Sequence, residues 1–157
     1  MEIRRAETED AEQIEQIHVD AYQTNYRGYM PDKFLDNFTL TSERIARTKM
    51  SLDKAEFWIA ADSSKIFGFA VLNFSDTDTF EIKALYIAPQ HQKQGIGSLL
   101  VNTLCHDKKK LGFKKCVVWT LKSGPSLGFY EKCGFSKTSS EKLWKYDLPI
   151  VMFEKFL

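Results

Sequence analysis

The residues best suited to chemistry are Gln92-Lys93-Gln94-Gly95-Ile96-Gly97. They follow a short apolar run, Ala84-Leu85-Tyr86-Ile87-Ala88-Pro89, that reads as a strand. They open an amphipathic run that puts Ile96, Leu99, Leu100, Thr103 and Leu104 on one helical face. Strand, glycine loop and helix together hold a phosphate. The first N–H groups of the helix have no partner inside it, and the helix dipole is positive at that end. Gly95 and Gly97 remove side chains that would keep a pyrophosphate from the backbone. A dinucleotide fingerprint is excluded, because the residue three after Gly97 is Leu100. A P-loop is excluded by the absence of Gly-Lys-Ser/Thr. What remains is Gln-x-x-Gly-x-Gly.

That pattern resembles the acyl-CoA pyrophosphate loop of the GNAT N-acetyltransferases, Arg/Gln-x-x-Gly-x-Gly/Ala, with Gln92, Gly95 and Gly97 matching. Downstream, Phe129-Tyr130-Glu131-Lys132-Cys133-Gly134-Phe135 is similar to the family's Phe-Tyr-x-Lys-x-Gly-Phe segment. The two occur in the family's order and cover a resemblance along nearly the whole chain. The N-terminal part fits in outline only. The resemblance implies an α/β (α+β) fold, a single GNAT-like domain over residues 1–157. It further implies a mixed central sheet of about seven strands, flanked by about four helices. Its two central parallel strands splay apart to admit acetyl-CoA. It implies no metal cofactor, and dimers are common in the family, often through the last strands.

Acetyl transfer to an amine needs a deprotonated amine, a stabilised carbonyl oxygen and a proton for the leaving thiolate. Direct transfer needs neither a metal nor an enzyme nucleophile. The sequence has no zinc-binding cluster and no Gly-x-Ser-x-Gly elbow. By resemblance, Tyr130 is the general acid. Its structural alternative is a helix residue packed on the sheet. Glu81, on the strand leading to the glycine loop, stands where family members that use a strand glutamate carry their base, acting through a water. The alternative is a solvated glutamate paired with Lys83 or a neighbour. The cofactor loop works mainly through backbone N–H groups of Gln92, Lys93, Gln94, Gly95, Ile96 and Gly97, extended by Ser98. The Lys93 side chain either touches a phosphate or stands in solvent, where a charge contributes little. Ile87 is expected beside the pantetheine, pairing backbone to backbone, or as plain strand core. Ser123 stands where the family usually has an Asn that contacts the pantetheine. His91 is expected to face solvent or the phosphate side.

The acceptor pocket of the resembled family uses the loop between its first two helices, here Tyr22 to Pro31. Tyr26 and Tyr29 are its candidate substrate residues, as an aromatic wall with polar tips or as packing. Asp76, Asp78 and Glu81 form an acidic group that either attracts a cationic amine or belongs to turns. The first reading is an enzyme that acetylates a small primary amine. The alternatives are a protein N-terminal or lysine acetyltransferase, a non-catalytic acyl-CoA-binding module, and an interaction module without cofactor.

Composition is that of an ordinary globular chain, with 157 residues, 43% hydrophobic and 27% charged. The net charge of +1 gives no global pull toward nucleic acid or membrane. Lys108-Lys109-Lys110 and Lys114-Lys115 form a local basic cluster, read as a solvated helix end that suits the dipole. Cys105, Cys116 and Cys133 lack metal-site spacing and read as reduced, buried thiols of a cytoplasmic protein. No signal peptide or membrane-length apolar run is apparent.

The remaining pattern supplies the frame. Glu2–Ala6 reads as a strand. Thr8 caps a helix whose inner face carries Ile14, Ile17, His18, Ala21 and Tyr22. Arg27–Pro31 breaks it, and a less regular helix follows Thr41. Glu56–Ala61, Ile66–Phe74 and Thr79–Ile87 read as consecutive antiparallel strands joined by turns at Asp62–Lys65 and Asp76–Asp78. After the loop helix, Cys116–Leu121 is a strand parallel to the one before it. A short helix at Ser126–Lys132 and two further strands complete the order, the last spanning Ile150–Phe156.

Overall fold

The computed structural model describes residues 1–157. Its strands are β1 (Glu2–Arg5), β2 (Glu56–Ala61), β3 (Ile66–Phe74), β4 (Thr79–Ile87), β5 (Lys115–Leu121), β6 (Ser136–Leu143) and β7 (Pro149–Phe156). Its α-helices are α1 (Ala11–Asn25), α2 (Asp32–Asp36), α3 (Ser42–Leu52), α4 (Ile96–Lys110) and α5 (Leu127–Lys132). The seven strands form one mixed sheet in the order β1-β2-β3-β4-β5-β7-β6. The helix beyond the expected four is α2, one short turn after Pro31.

The chain divides into two compact units. One comprises Met1–Val71 with Ala84–Leu100, the other Leu72–Lys83 with Val101–Leu157.

In the first unit, β1 pairs antiparallel with β2, Glu2 opposite Ala61. The β2–β3 turn is closed by Asp62, whose Oδ1 accepts from Ser64 N at 3.0 Å and Lys65 N at 2.8 Å. Thr8 does not cap α1. It lies inside a 3₁₀ turn, Thr8–Asp10, that runs into the helix. Asp10 closes that 3₁₀ turn, accepting from Glu7 N at 2.7 Å and from both Arg4 Nη atoms at 2.8 and 3.1 Å, and its side chain makes no cap bond to α1. Thr41 caps α3 as expected, accepting from Arg44 N at 3.1 Å. Alternation along β2 splits the core. Phe57 and Ile59 join Ile14, Ile17 and Phe69 on one face. Ala60 joins Ile96 and Leu100, with Trp58, Leu85 and Ile87 against them, on the other. Each fully buried side chain of this size contributes roughly 1.5–3 kcal/mol. Leu99, expected on the inner face of α4, is 41% exposed. The inner stripe runs instead through Ile96 and Leu100.

In the second unit, β4 and β5 run parallel, with Thr79, Phe80 and Glu81 opposite Lys115, Cys116 and Val117. The helical crossover α4 imposes that direction. β7 lies between β5 and β6, antiparallel to both. The segment Ile150 to Phe153 is therefore an interior strand with Val151 and Phe153 fully buried. The basic cluster is not uniformly solvated either. Lys108 is 3% exposed, with its ammonium 3.1 Å from Asp107 and over the Phe74 ring at 5.7 Å. Its stem packs inward while the pair and the ring receive the charge. Cys105, Cys116 and Cys133 are buried free thiols.

Candidate active site

The glycine loop is built by β4, a short 3₁₀ turn and the start of α4. β4 stops at Ile87, and Ala88 N is bound by Phe67 O at 2.9 Å. Pro89–His91 then forms the 3₁₀ turn, and Gln92 is extended with ψ 158°. Two residues follow in the left-handed region, Lys93 at φ 60° and Gly95 at φ 83°. A non-glycine residue there carries strain. Left-handed residues between extended and helical ones turn successive N–H groups toward a common side, an anion-binding concavity. A Cβ built at Gly95 meets nothing within 4 Å. The space beside it is open, and Leu99 N is already bound to Gly95 O at 3.0 Å. α4 begins at Ile96, and the first N–H groups of a helix have no partner within the helix itself.

The Gln92 side chain has a structural task. Its Nε2 donates to Ile87 O at 3.2 Å and to Asn25 Oδ1 at 3.3 Å. It thereby ties the loop to the end of β4 and the end of α1. Asn25 carries no sequence signal for this. Gly68 on β3 is a second missed residue. A methyl there would overlap Ile87 Cδ1 and stand 2.9 Å from Tyr86 O. A lone glycine in a strand pattern signals such a close approach. His91 is half-buried. Its ring stands edge-on to Phe67 at 4.9 Å, and its Nε2 is buried without a partner.

The first loop separates its candidates. Tyr26 Oη lies 3.2 Å from Tyr86 Oη. Burial pushes the Tyr26 phenol up to about 12, against a lowering by the bond to Tyr86. Tyr26 also meets Tyr22 edge-on at 4.7 Å, and Tyr22 stacks on Phe38 at 4.4 Å. Tyr29 is half-buried in the turn that Tyr26 O closes by accepting from Tyr29 N and Met30 N. Arg27 is exposed and bound to Asp36 and Asp32 at 2.9 and 3.3 Å. Asp76 is a turn residue, accepting from Asp78 N and Thr79 N at 2.8 and 2.7 Å.

Behind this aromatic group α1 carries a buried carboxylate. Glu15 is 5% exposed. It accepts from Thr48 Oγ1 at 3.0 Å, faces His18 Nδ1 at 3.2 Å, and lies 3.6 Å from Arg44. Burial alone pushes its pKa up, but His18, Thr48 and Arg44 together bring it below the ordinary glutamate value.

The second unit holds the two candidate proton-transfer residues. Tyr130 on α5 is buried at 7% exposure, its ring against Phe129, Phe135 and Phe153 at 5.1, 5.7 and 6.2 Å. Its carbonyl accepts from Cys133 N and Phe135 N and ends the helix before Gly134, whose φ is 90°. Glu81 is half-buried, in register with Val117, and flanked by the fully buried Phe80 and Ile82 on the opposite face of β4. Ser123 is exposed in the turn closed by Gly124 N on Leu121 O. No group of His, Cys, Asp and Glu side chains is arranged to hold a metal ion. No helix is long and apolar enough to cross a membrane.

Similarity to known proteins converges on one family. The model of the acetyltransferase (GNAT) family matches residues 11–135. The chain is 28% identical over 133 residues to the uncharacterized N-acetyltransferase YuaI of Bacillus subtilis, covering 82% of this chain and 76% of that protein. The crystal structure of PaiA N-acetyltransferase from Thermoplasma acidophilum in complex with coenzyme A superposes with a TM-score of 0.78 at 22% identity, covering 99% and 98% of the two chains. YncA of Salmonella typhimurium with acetyl-CoA superposes with a TM-score of 0.71 at 19% identity, covering 100% and 94%. The chain belongs to the GNAT family and is an acetyl-CoA-dependent N-acetyltransferase.

Proposed function

We propose that this enzyme transfers the acetyl group of acetyl-CoA to a primary amine of a small molecule by direct attack. The amine nitrogen bonds to the thioester carbonyl carbon and the carbon–sulfur bond breaks. Glu81 accepts the ammonium proton through a water, and Tyr130 donates a proton to the leaving thiolate. The loop geometry supports the cofactor half of this reading, with left-handed Lys93 and Gly95 and open space beside Gly95 at the start of α4. Two features support Ile87 as the pantetheine's partner. Adjacent strand residues turn their backbone groups to opposite edges. Ala88 N is bound to β3 through Phe67 O, so the Ile87 groups face the other edge.

Thermal unfolding with acetyl-CoA at about 100 times its dissociation constant should show roughly 2.7 kcal/mol of added stability. Glu81→Gln should then lower thiol release with amine at neutral pH and leave acetyl-CoA affinity intact. An unaltered pH–rate profile in that variant removes Glu81 as the base.

A further inference from the structure

The first unit holds a half-open cavity of about 180 Å³ between α1, α3 and strands β2 to β4. Its apolar wall is Ile14, Phe57, Phe69, Val71 and Ala84. Glu15, His18, Thr48, Ser51 and Tyr86 supply the polar part. None of these residues belongs to the glycine loop or to the proton-transfer pair. We propose that this cavity is the acceptor subsite, and that it takes a primary amine carried on a single apolar or aromatic ring, not a polycation. The proposal rests on the acetyl-transfer reading above and names the substrate class for it.

Size is the first argument. An apolar cavity of roughly 150 Å³ in another protein admits a benzene ring. The second is charge. A polyamine or an aminoglycoside needs unpaired carboxylates for its further ammonium groups. The one carboxylate lining this cavity, Glu15, is already engaged by Thr48, His18 and Arg44. No negative charge is left to meet a second cation in a low-dielectric space. The third is the character of the wall. His18 sits among rings, edge-on to Tyr22 at 5.0 Å and Phe38 at 5.4 Å and tilted to Tyr86 at 5.5 Å. A ring of the acceptor gains edge-to-face contacts in such a setting. With Nδ1 facing Glu15 at 3.2 Å, Nε2 is the ring nitrogen left to exchange one hydrogen bond with a polar group on that ring.

Placement agrees with transfer. β4 supplies Ala84 and Tyr86 to the cavity, and its next residue is Ile87. An acceptor seated there lies against the strand whose edge is assigned to the pantetheine. Tyr26, hydrogen-bonded to Tyr86, ties the first loop to that wall.

The test uses 2-phenylethylamine and spermidine as probes. Binding to the coenzyme A complex is measured by calorimetry, and turnover is measured by thiol release from acetyl-CoA. Wild type should favour 2-phenylethylamine over spermidine at least tenfold in kcat/KM. Val71→Phe, which fills the cavity, should weaken 2-phenylethylamine binding at least tenfold with acetyl-CoA affinity unchanged. Ser51→Trp should do the same from an exposed position, and it decides the matter if the Val71 variant fails to fold. A preference for spermidine, or amine affinity unchanged in the folded variants, overturns the proposal. Binding that is cavity-dependent but yields no turnover upholds the subsite and overturns acetyl transfer to such amines. Turnover insensitive to both variants overturns the subsite alone.

Discussion

Gly95→Ala separates the folding role of the loop from its binding role. The backbone at Gly95 has φ 83°, which an L side chain adopts at a cost of about 1–2 kcal/mol. The added methyl meets no protein atom within 4 Å, so no steric clash is added. For a chain of this length that cost corresponds to a fall in Tm of roughly 2–8 °C. The methyl does project into the open space that the proposed reading gives to the pyrophosphate. Losing one hydrogen bond to a charged group costs about 1.5–3 kcal/mol, or about 10- to 150-fold in affinity. Coenzyme A binding by calorimetry, with Tm measured on the same samples, gives both numbers. A dissociation constant within about twofold of wild type, together with the modest fall in Tm, refutes the assignment of this loop to the cofactor. A much larger fall in Tm refutes the claim that the space beside Gly95 is empty.

Gly68→Ala should behave in the opposite way, because its methyl collides with Ile87 and the Tyr86 carbonyl. Its main loss is stability, about 1–3 kcal/mol by chemical denaturation, and an unchanged midpoint would contradict the close approach of β3 and β4. Tyr130→Phe should lower turnover and leave acetyl-CoA affinity intact, because the ring packing with Phe135 and Phe153 survives. Full activity in that variant removes Tyr130 as the acid. Acid should destabilise the fold through Asp10 and Glu15. Both are held below their ordinary values, Asp10 by Arg4 and the Glu7 N–H against the opposing effect of burial. A depressed carboxylate contributes stability above its unfolded pKa and loses it as pH falls through the folded one. Asp10→Asn should thus be least stable relative to wild type near neutrality. The gap should narrow below about pH 4, as followed by urea midpoints.

The elements that chemistry needs were the most legible in the sequence. β2, β3 and β4 lie where alternation and turn residues placed them, because Asp62 and Asp76 close the turns through their own side chains. The loop was legible because its left-handed backbone at Gly95 favours glycine. What escaped was tertiary. Asn25 holds Gln92 across a long sequence separation, and nothing local marks it. The Glu15–His18–Thr48–Arg44 group needs two helices to be seen at once. Thr8 was expected to cap α1, yet it lies inside a 3₁₀ turn whose Asp10 is held by Arg4 of β1. Leu99 is exposed and Lys108 buried against the simple pattern, the Lys108 ammonium standing over the Phe74 ring.

The strand order in the second half has a consequence for how the chain is made. β6 pairs with β7, and β7 alone joins it to β5. β6 leaves the ribosome before β7 does. Until β7 emerges, β6 lacks its one hydrogen-bonded neighbour in the sheet, and most of its residues face water in the finished fold. Closing this part of the sheet is therefore a late step of synthesis. A chain interrupted before Pro149 would carry the glycine loop and Tyr130 while lacking the strand that binds β5 along its whole length. Such a product would expose the β5 edge to other chains, so premature termination here threatens solubility before it threatens catalysis.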